Sequence, residues 1–283
     1  MKVAFLGLGR MGRALVGHIA DAGHEVTVWN RSPEPVEETA VNGIAGAESP
    51  EAAIARAQVV VTVLFGPDAV RETLIERAVP FDPGTTWIDI TTVAPADTEL
   101  FQAWATAQGI EYVHSPVIGS LAPARARQLG VLVGGSERGV EVALPIVSLW
   151  ADPERLHVVR TPAVAAARKL VANLALATTI QAVSEALSLG AAAGLSADDV
   201  FDQLLEKSAL QTMVTMKGDV IRSGDYDDAQ FSVNALAKDA ALMVRTSREP
   251  MPALTAAYAA LEAVKAQGLG ESDFAVVARA QRR

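Results

Sequence analysis

The segment Gly7-Leu8-Gly9-Arg10-Met11-Gly12 constrains this chain more than any other. Glycine-rich hexamers occur by chance, but the setting here is specific. An apolar run, Val3 to Leu6, precedes it, and an amphipathic stretch, Met11 to Ala22, follows. A second β-rich run then ends at Val28-Trp29-Asn30. Strand, glycine loop, helix and strand in that order form the βαβ unit that cradles a dinucleotide pyrophosphate. Gly7 permits the tight turn, Gly9 lets the backbone approach the phosphates, and Gly12 lets the helix pack close to the sheet. The helix N-terminus adds N–H groups and the positive end of its dipole. Leu8, Arg10 and Met11 complete the expected cofactor-binding loop.

The rest of the first half continues this pattern. Val3–Gly7, Glu25–Trp29, Val59–Leu64, Thr86–Ile90, Glu111–His114 and Gly130–Val133 read as strands, with Leu156–Val159 as one more. Short β-rich runs alternating with helical stretches predict a doubly wound, mostly parallel sheet. Near residue 161 the texture changes. Pro162 suits the first turn of a helix, and Ala163 to Ala193 is helical in propensity without an internal proline. At about 1.5 Å per residue, ~30 residues span roughly 45 Å, more than a small domain needs. An interdomain connector that also serves a subunit interface is expected there. Ser196 is placed to cap a further helix, and helical stretches follow at 210–222, 232–247, 252–267 and 271–281. The expected architecture is an α/β Rossmann domain, residues 1–161, followed by an all-helical domain, residues 162–283, for substrate binding and dimerisation.

Composition narrows the partners. The net charge is −9 with no basic run, which disfavours nucleic acid and anionic membranes. No apolar run is expected to be long enough to span a bilayer, and the short apolar start reads as a strand rather than a signal peptide. The chain has no cysteine and only four scattered histidines, so neither disulfides nor a metal site is expected, and a cytoplasmic location fits. Cofactor choice is written at the end of the second strand. NAD sites usually carry Asp or Glu there; this chain has Asn30, Arg31 and Ser32. Loss of the acid removes repulsion toward a 2′-phosphate, Arg31 can pair with it, and Ser32 can donate a hydrogen bond. NADP(H) is the expected cofactor.

Further segments resemble one family along essentially the full length. The chain is similar to the β-hydroxyacid dehydrogenases, which are 6-phosphogluconate dehydrogenase-like oxidoreductases; imine reductases are more distant relatives of the same architecture. The resemblance rests on the glycine loop with Ala22-Gly23-His24, Val26, Val28, Asn30 and Arg31. It extends to Asp89-Ile90-Thr91-Thr92-Val93-Ala94-Pro95, Ser115-Pro116-Val117-Ile118-Gly119-Ser120, and Ala126 with Leu129 to Gly135. Lys169 with Asn173, and Lys238-Asp239, complete it. It implies that Leu64 and Phe65 cover the cofactor, that Thr92 touches the nicotinamide ribose or the substrate, and that Lys238 reaches toward the cofactor. Lys169 and Asn173 share a helix face by spacing. On spacing alone such a pair is usually a solvated face. The apolar neighbours suggest instead a lysine partly buried, which would lower its pKa. In that setting Lys169 is the candidate general acid/base and Asn173 the partner of the carbonyl oxygen.

Three departures from the family pattern stand out, and the first bears on the substrate. Ile118 stands where the family has a serine that helps hold a carboxylate, leaving Gly119 and Ser120 as the polar part of the substrate loop; Arg125 or Arg127 could compensate. Thr161-Pro162-Ala163 replaces a glycine hinge. His114 replaces an aspartate and reads as a packing residue. The expected function is NADPH-dependent hydride transfer to a small aldehyde or ketone, or from a β-hydroxy acid, by a homo-oligomer, dimer or tetramer. Two alternatives stay open: imine reduction on a less anionic substrate, and NADP sensing without turnover.

Overall fold

The computed structural model describes residues 1–40 and 44–281. Two compact units, Met1–Lys169 and Leu170–Arg283, divide the chain. The first is built on a nine-stranded sheet among the described residues. Its strands are β1 (Lys2–Leu6), β2 (Glu25–Trp29), β3 (Ala45–Gly46), β4 (Val59–Thr62), β5 (Thr86–Asp89), β6 (Glu111–His114), β7 (Val117–Ile118), β8 (Leu129–Gly134) and β9 (Ala151–Val159). The order is β3-β2-β1-β4-β5-β6-β8-β7, with β9 paired to β8. The strands from β3 to β6 run parallel; β8 runs antiparallel to β6 and β7 but parallel to β9.

Helices cover both faces, which is why the parallel strands read as unbroken apolar runs. They are α1 (Arg10–Asp21), α2 (Glu34–Ala40), α3 (Pro50–Ile54), α4 (Gly66–Val70), continued by a π-helical turn (Arg71–Ile75), α5 (Pro95–Ala107), α6 (Leu121–Arg125) and α7 (Glu137–Val147). One core layer joins Phe5, Val28, Val61 and Ile88 to Leu15 and Ile19 of α1 and Ile146 of α7. The opposite layer joins Ala4, Leu6, Val60 and Trp87 to Ile54 of α3 and Phe101 of α5. The strand order reverses between β1 and β4, and α/β sheets bind ligands outside the carboxyl ends of their strands at such a point.

The expected elements need four adjustments. β3 and β7 were not foreseen, and β9 is longer than Leu156–Val159. The C-terminal segment Phe274–Gln281 is 3₁₀ rather than α-helical. The long helix, α8 (Pro162–Ala192), begins in the first unit and continues into the second. It also corrects the expectation that no stretch could cross a bilayer. By length and composition α8 qualifies, through an 18-residue window of mean hydropathy 1.4, because its alanines count as apolar without being bulky. Ala177, Ile180, Val183 and Leu187 form a buried stripe at helical spacing, as in a helix packed within a protein, and Ser184 Oγ donates to the Val277 carbonyl at 3.2 Å. The second unit continues with α9 (Ala197–Leu205), α10 (Gln211–Ser223), α11 (Val233–Thr246) and α12 (Pro252–Ala266).

Candidate active site

The glycine loop follows β1 at the point where the strand order reverses. Gly7 has φ +104°, and a Cβ there would lie 2.3 Å from the Val63 carbonyl oxygen, so no other residue fits. A Cβ on Gly12 would lie 2.0 Å from the Gly7 carbonyl oxygen, which fixes how closely α1 approaches the loop. At Gly9 the same test meets open space within 4 Å. Gly9 is also the N-cap of α1, with no side-chain cap and no acidic residue in the first turn. Uncapped N–H groups facing an open approach suit a pyrophosphate.

Asn30 has a more specific task than the loss of an acid suggested. Its Oδ1 accepts the Leu8 N–H at 2.9 Å, and its Nδ2 donates to the carbonyl and the hydroxyl of Ser32 at 3.1 and 3.0 Å. The side chain ties the glycine loop to the turn that carries Arg31, and Gly7 N–H adds a bond to the Trp29 carbonyl at 2.9 Å. Arg31 is exposed and forms no ion pair with any described residue. Arg10 is exposed and Met11 half-buried at the head of α1.

Leu64 and Phe65 lie in the loop after β4, which ends at Thr62 rather than at Leu64. Phe65 is 60% exposed, an unusual state for a large apolar ring. Leu64 N–H donates to Thr91 Oγ1 at 3.0 Å. Thr91 is buried and Thr92 half-buried. The start of α5 is closed by Asp97, whose Oδ2 accepts the Ala94 N–H at 3.0 Å. In the loop expected to hold substrate, Gly119 has φ +138°, Ile118 is half-buried in β7, and the Ser120 hydroxyl makes no cap bond to α6. Arg127 does not serve this loop. Its guanidinium reaches His18 Nδ1 at 3.3 Å and Asp21 at 3.5 Å on α1; Arg125 is exposed.

On α8, Lys169 and Asn173 are 8% and 5% exposed. Within the second unit Asn173 Nδ2 donates to Asp239 Oδ2 at 2.5 Å, and Lys238 Nζ lies 2.7 Å from Asp239 Oδ1. Asp239 is 1% exposed. The sequence pattern marks Asp239 only as the neighbour of Lys238, yet it orients the Asn173 amide. The pair's spacing gave no hint of this, because the contact bridges 66 residues.

Residues 2–161 match the family model of the NAD binding domain of 6-phosphogluconate dehydrogenase, and residues 164–281 match that of the NAD-binding region of NADP-dependent 3-hydroxyisobutyrate dehydrogenase. The chain belongs to the β-hydroxyacid dehydrogenase family. It is thus an NAD(P)-binding oxidoreductase. It is 29% identical to glyoxylate/succinic semialdehyde reductase 1 of Arabidopsis thaliana, over 99% of this chain and 98% of that one. A solved structure of Mycobacterium tuberculosis 3-hydroxyisobutyrate dehydrogenase with L-serine superposes at a TM-score of 0.86 with 26% identity, covering 100% and 99% of the two chains. An imine reductase from Myxococcus stipitatus in complex with NADP⁺ gives a TM-score of 0.67 at 21% identity, covering 99% of each chain, and shares the fold.

Proposed function

We propose that this oxidoreductase uses NADPH to reduce a small aldehyde, ketone or semialdehyde, or runs the reverse oxidation of a β-hydroxy acid, with Lys169 as general acid/base. The buried Lys169, one helical turn before an Asn173 held by Asp239, carries this reading. When bound, the nicotinamide supplies or accepts the hydride. The chain's part is the proton. The Lys169 ammonium gives it to the carbonyl oxygen as the carbonyl carbon is reduced, and the neutral amine takes it back in oxidation. Asn173 steadies that oxygen, and its own orientation is set by Asp239.

The preference for a 2′-phosphate rests on Arg31, exposed and without an ion pair among the described residues, beside a strand end with no carboxylate. The Asn30 carboxamide is already committed to Leu8 and Ser32. Ile118 favours a second reading, imine reduction, since it puts an apolar side chain where a carboxylate would need a donor. Lys169 favours carbonyl chemistry.

The test is a screen of purified protein with NADPH and NADH against glyoxylate, succinic semialdehyde, simple ketones and cyclic imines. Lys169→Ala is expected to lower carbonyl turnover about 10²–10⁴-fold. Arg31→Ala is expected to lose roughly 10–100-fold with NADPH alone, as for a charged hydrogen bond. Undiminished turnover by Lys169→Ala would refute the mechanism. Turnover of imines alone would favour the second reading. Cofactor binding with no turnover of any substrate would leave a sensor.

A further inference from the structure

A polar row crosses the carboxyl ends of three central strands. Register places Thr62 of β4 beside Asp89 of β5, and Asp89 beside His114 of β6. Laterally paired residues share a face, and all three are 0% exposed. Asp89 is the hub. Its Oδ1 accepts the Thr62 hydroxyl at 2.7 Å and the Thr91 N–H at 3.1 Å. Its Oδ2 accepts the Tyr112 hydroxyl at 3.2 Å, with His114 Nδ1 at 3.7 Å. Thr62 in turn accepts Trp87 Nε1–H at 2.9 Å. Burial, and then the Asp89 charge, push the Tyr112 phenol well above its ordinary pKa, so it remains a donor.

The row continues out of the sheet through Thr91. The Thr91 backbone is held by Asp89, and the Thr91 hydroxyl receives the Leu64 N–H at 3.0 Å. The loop after β4 and the loop after β5 are therefore fastened to each other and to the same carboxylate. Leu64 and Phe65 sit on one loop, Thr92 on the other. A buried carboxylate whose oxygens are shared among strand donors cannot shift without breaking several bonds at once.

We infer that Asp89 and Thr91 are positioning residues for the nicotinamide half of the cofactor, holding Leu64, Phe65 and Thr92 at a fixed height above the sheet. The inference rests on reading those three as cofactor contacts. The adenosine half is held elsewhere, by the glycine loop and the Asn30–Ser32 turn. Full-length protein can therefore be titrated with NADPH, which occupies both halves, and with 2′,5′-ADP, which occupies the adenosine half alone. Thr91→Val keeps the shape and removes the acceptor for Leu64 N–H; Thr91→Ser keeps the acceptor. Thr91→Val is expected to weaken NADPH about tenfold, the scale of one lost buried hydrogen bond, while 2′,5′-ADP stays within about twofold. Thr91→Ser is expected to match wild type for both ligands. Asp89→Asn retains an oxygen for Thr62 and Thr91 and should bind NADPH better than Asp89→Leu. Equal weakening of both ligands by Thr91→Val, or no weakening of either, overturns the inference. Wild-type protein that binds NADPH no more tightly than 2′,5′-ADP overturns the reading of Leu64, Phe65 and Thr92 beneath it. Wild-type protein that binds neither overturns the cofactor site itself.

Discussion

Asp89 in the first unit and Asp273 in the second are equally inaccessible, at 0% and 1% exposure, but their surroundings differ. Asp89 accepts from two hydroxyls and one backbone N–H, supplied by strands and a loop of the sheet, with the His114 ring nitrogen 3.7 Å away. Asp273 meets a charge. Its Oδ2 lies 2.7 Å from Lys217 Nζ and accepts the Gln230 N–H at 3.0 Å, while Oδ1 accepts the Ala275 N–H at 3.0 Å. The ammonium also sits 4.7 Å from the centre of the Phe274 ring. A sheet offers regularly spaced side chains on one face, so several weak donors can converge on one carboxylate. A helical unit lacks that lattice, and a single long side chain from α10 crosses to the C-terminal segment instead. The first arrangement sets loops; the second fastens a chain end.

The largest effect is expected at Lys217. Lys217→Met leaves a buried carboxylate without its cation and is expected to cost about 3–5 kcal/mol in urea unfolding. Adding Asp273→Asn removes the uncompensated charge and should return part of that loss. Thr62→Val is the matching change in the first unit. It removes one donor to Asp89 and the acceptor for Trp87, and should cost about 1–3 kcal/mol. A larger loss for Thr62→Val than for Lys217→Met would reverse the proposed contrast between neutral and charged compensation.

Neither carboxylate could be recognised from the chain alone. Asp89 was visible as part of a motif, but its role depends on strand register with Thr62 and His114. Lys217 and Asp273 are 56 residues apart and carry no local pattern. What was legible followed from periodicity and backbone chemistry. Parallel strands buried on both faces appeared as apolar runs, and the glycines at positions 7 and 12 announced their steric need. What was hidden had little side-chain signal. β3 has two exposed residues. The first part of β9 reads Asp152-Pro153-Glu154-Arg155, a polar stretch with a proline that only an edge strand tolerates. The segment Phe274–Gln281 is apolar enough for a helix, but Asp273 holds its first turn by accepting the Ala275 N–H. Lys169 with Asn173 was legible as a pair, while the Asp239 that orients Asn173 needed the fold.

The two units also differ in what closes in their glycines. Gly12 in the first unit is closed in by backbone, the Gly7 carbonyl oxygen. Gly190 on α8 is closed in by a side chain, since a Cβ there would lie 2.2 Å from Val200 Cγ2. Gly190→Ala is expected to cost about 1–3 kcal/mol by overpacking, and Val200→Ala in the same chain should relieve it. Gly12→Ala has no equivalent side chain to trim, so no neighbouring truncation should restore NADPH binding. If Val200→Ala fails to rescue Gly190→Ala, the α8–α9 approach is set by something other than that methyl group.

The smallest effect belongs to a third carboxylate, Asp199, which faces solvent at the start of α9. Its Oδ2 accepts the Ser196 hydroxyl at 2.6 Å and the Ser196 N–H at 2.9 Å, while Ser196 Oγ accepts the Asp199 N–H at 3.1 Å. The bonds from the Ser196 side chain, then from its backbone, lower the Asp199 pKa below the usual 3.8. A folded-state pKa below the unfolded one means stabilisation that is complete above 3.8 and lost as pH falls through the folded value. Asp199→Asn keeps the shape and an acceptor but cannot ionise. Its melting temperature should therefore fall slightly below wild type at neutral pH, and the gap should close in acid below 3.8. A gap of constant size across that range would show that the capping geometry, not the charge, supplies the stabilisation. The exposed carboxylate would then differ from Asp273 in kind as well as in size, since a charge held in solvent would contribute nothing that an amide does not.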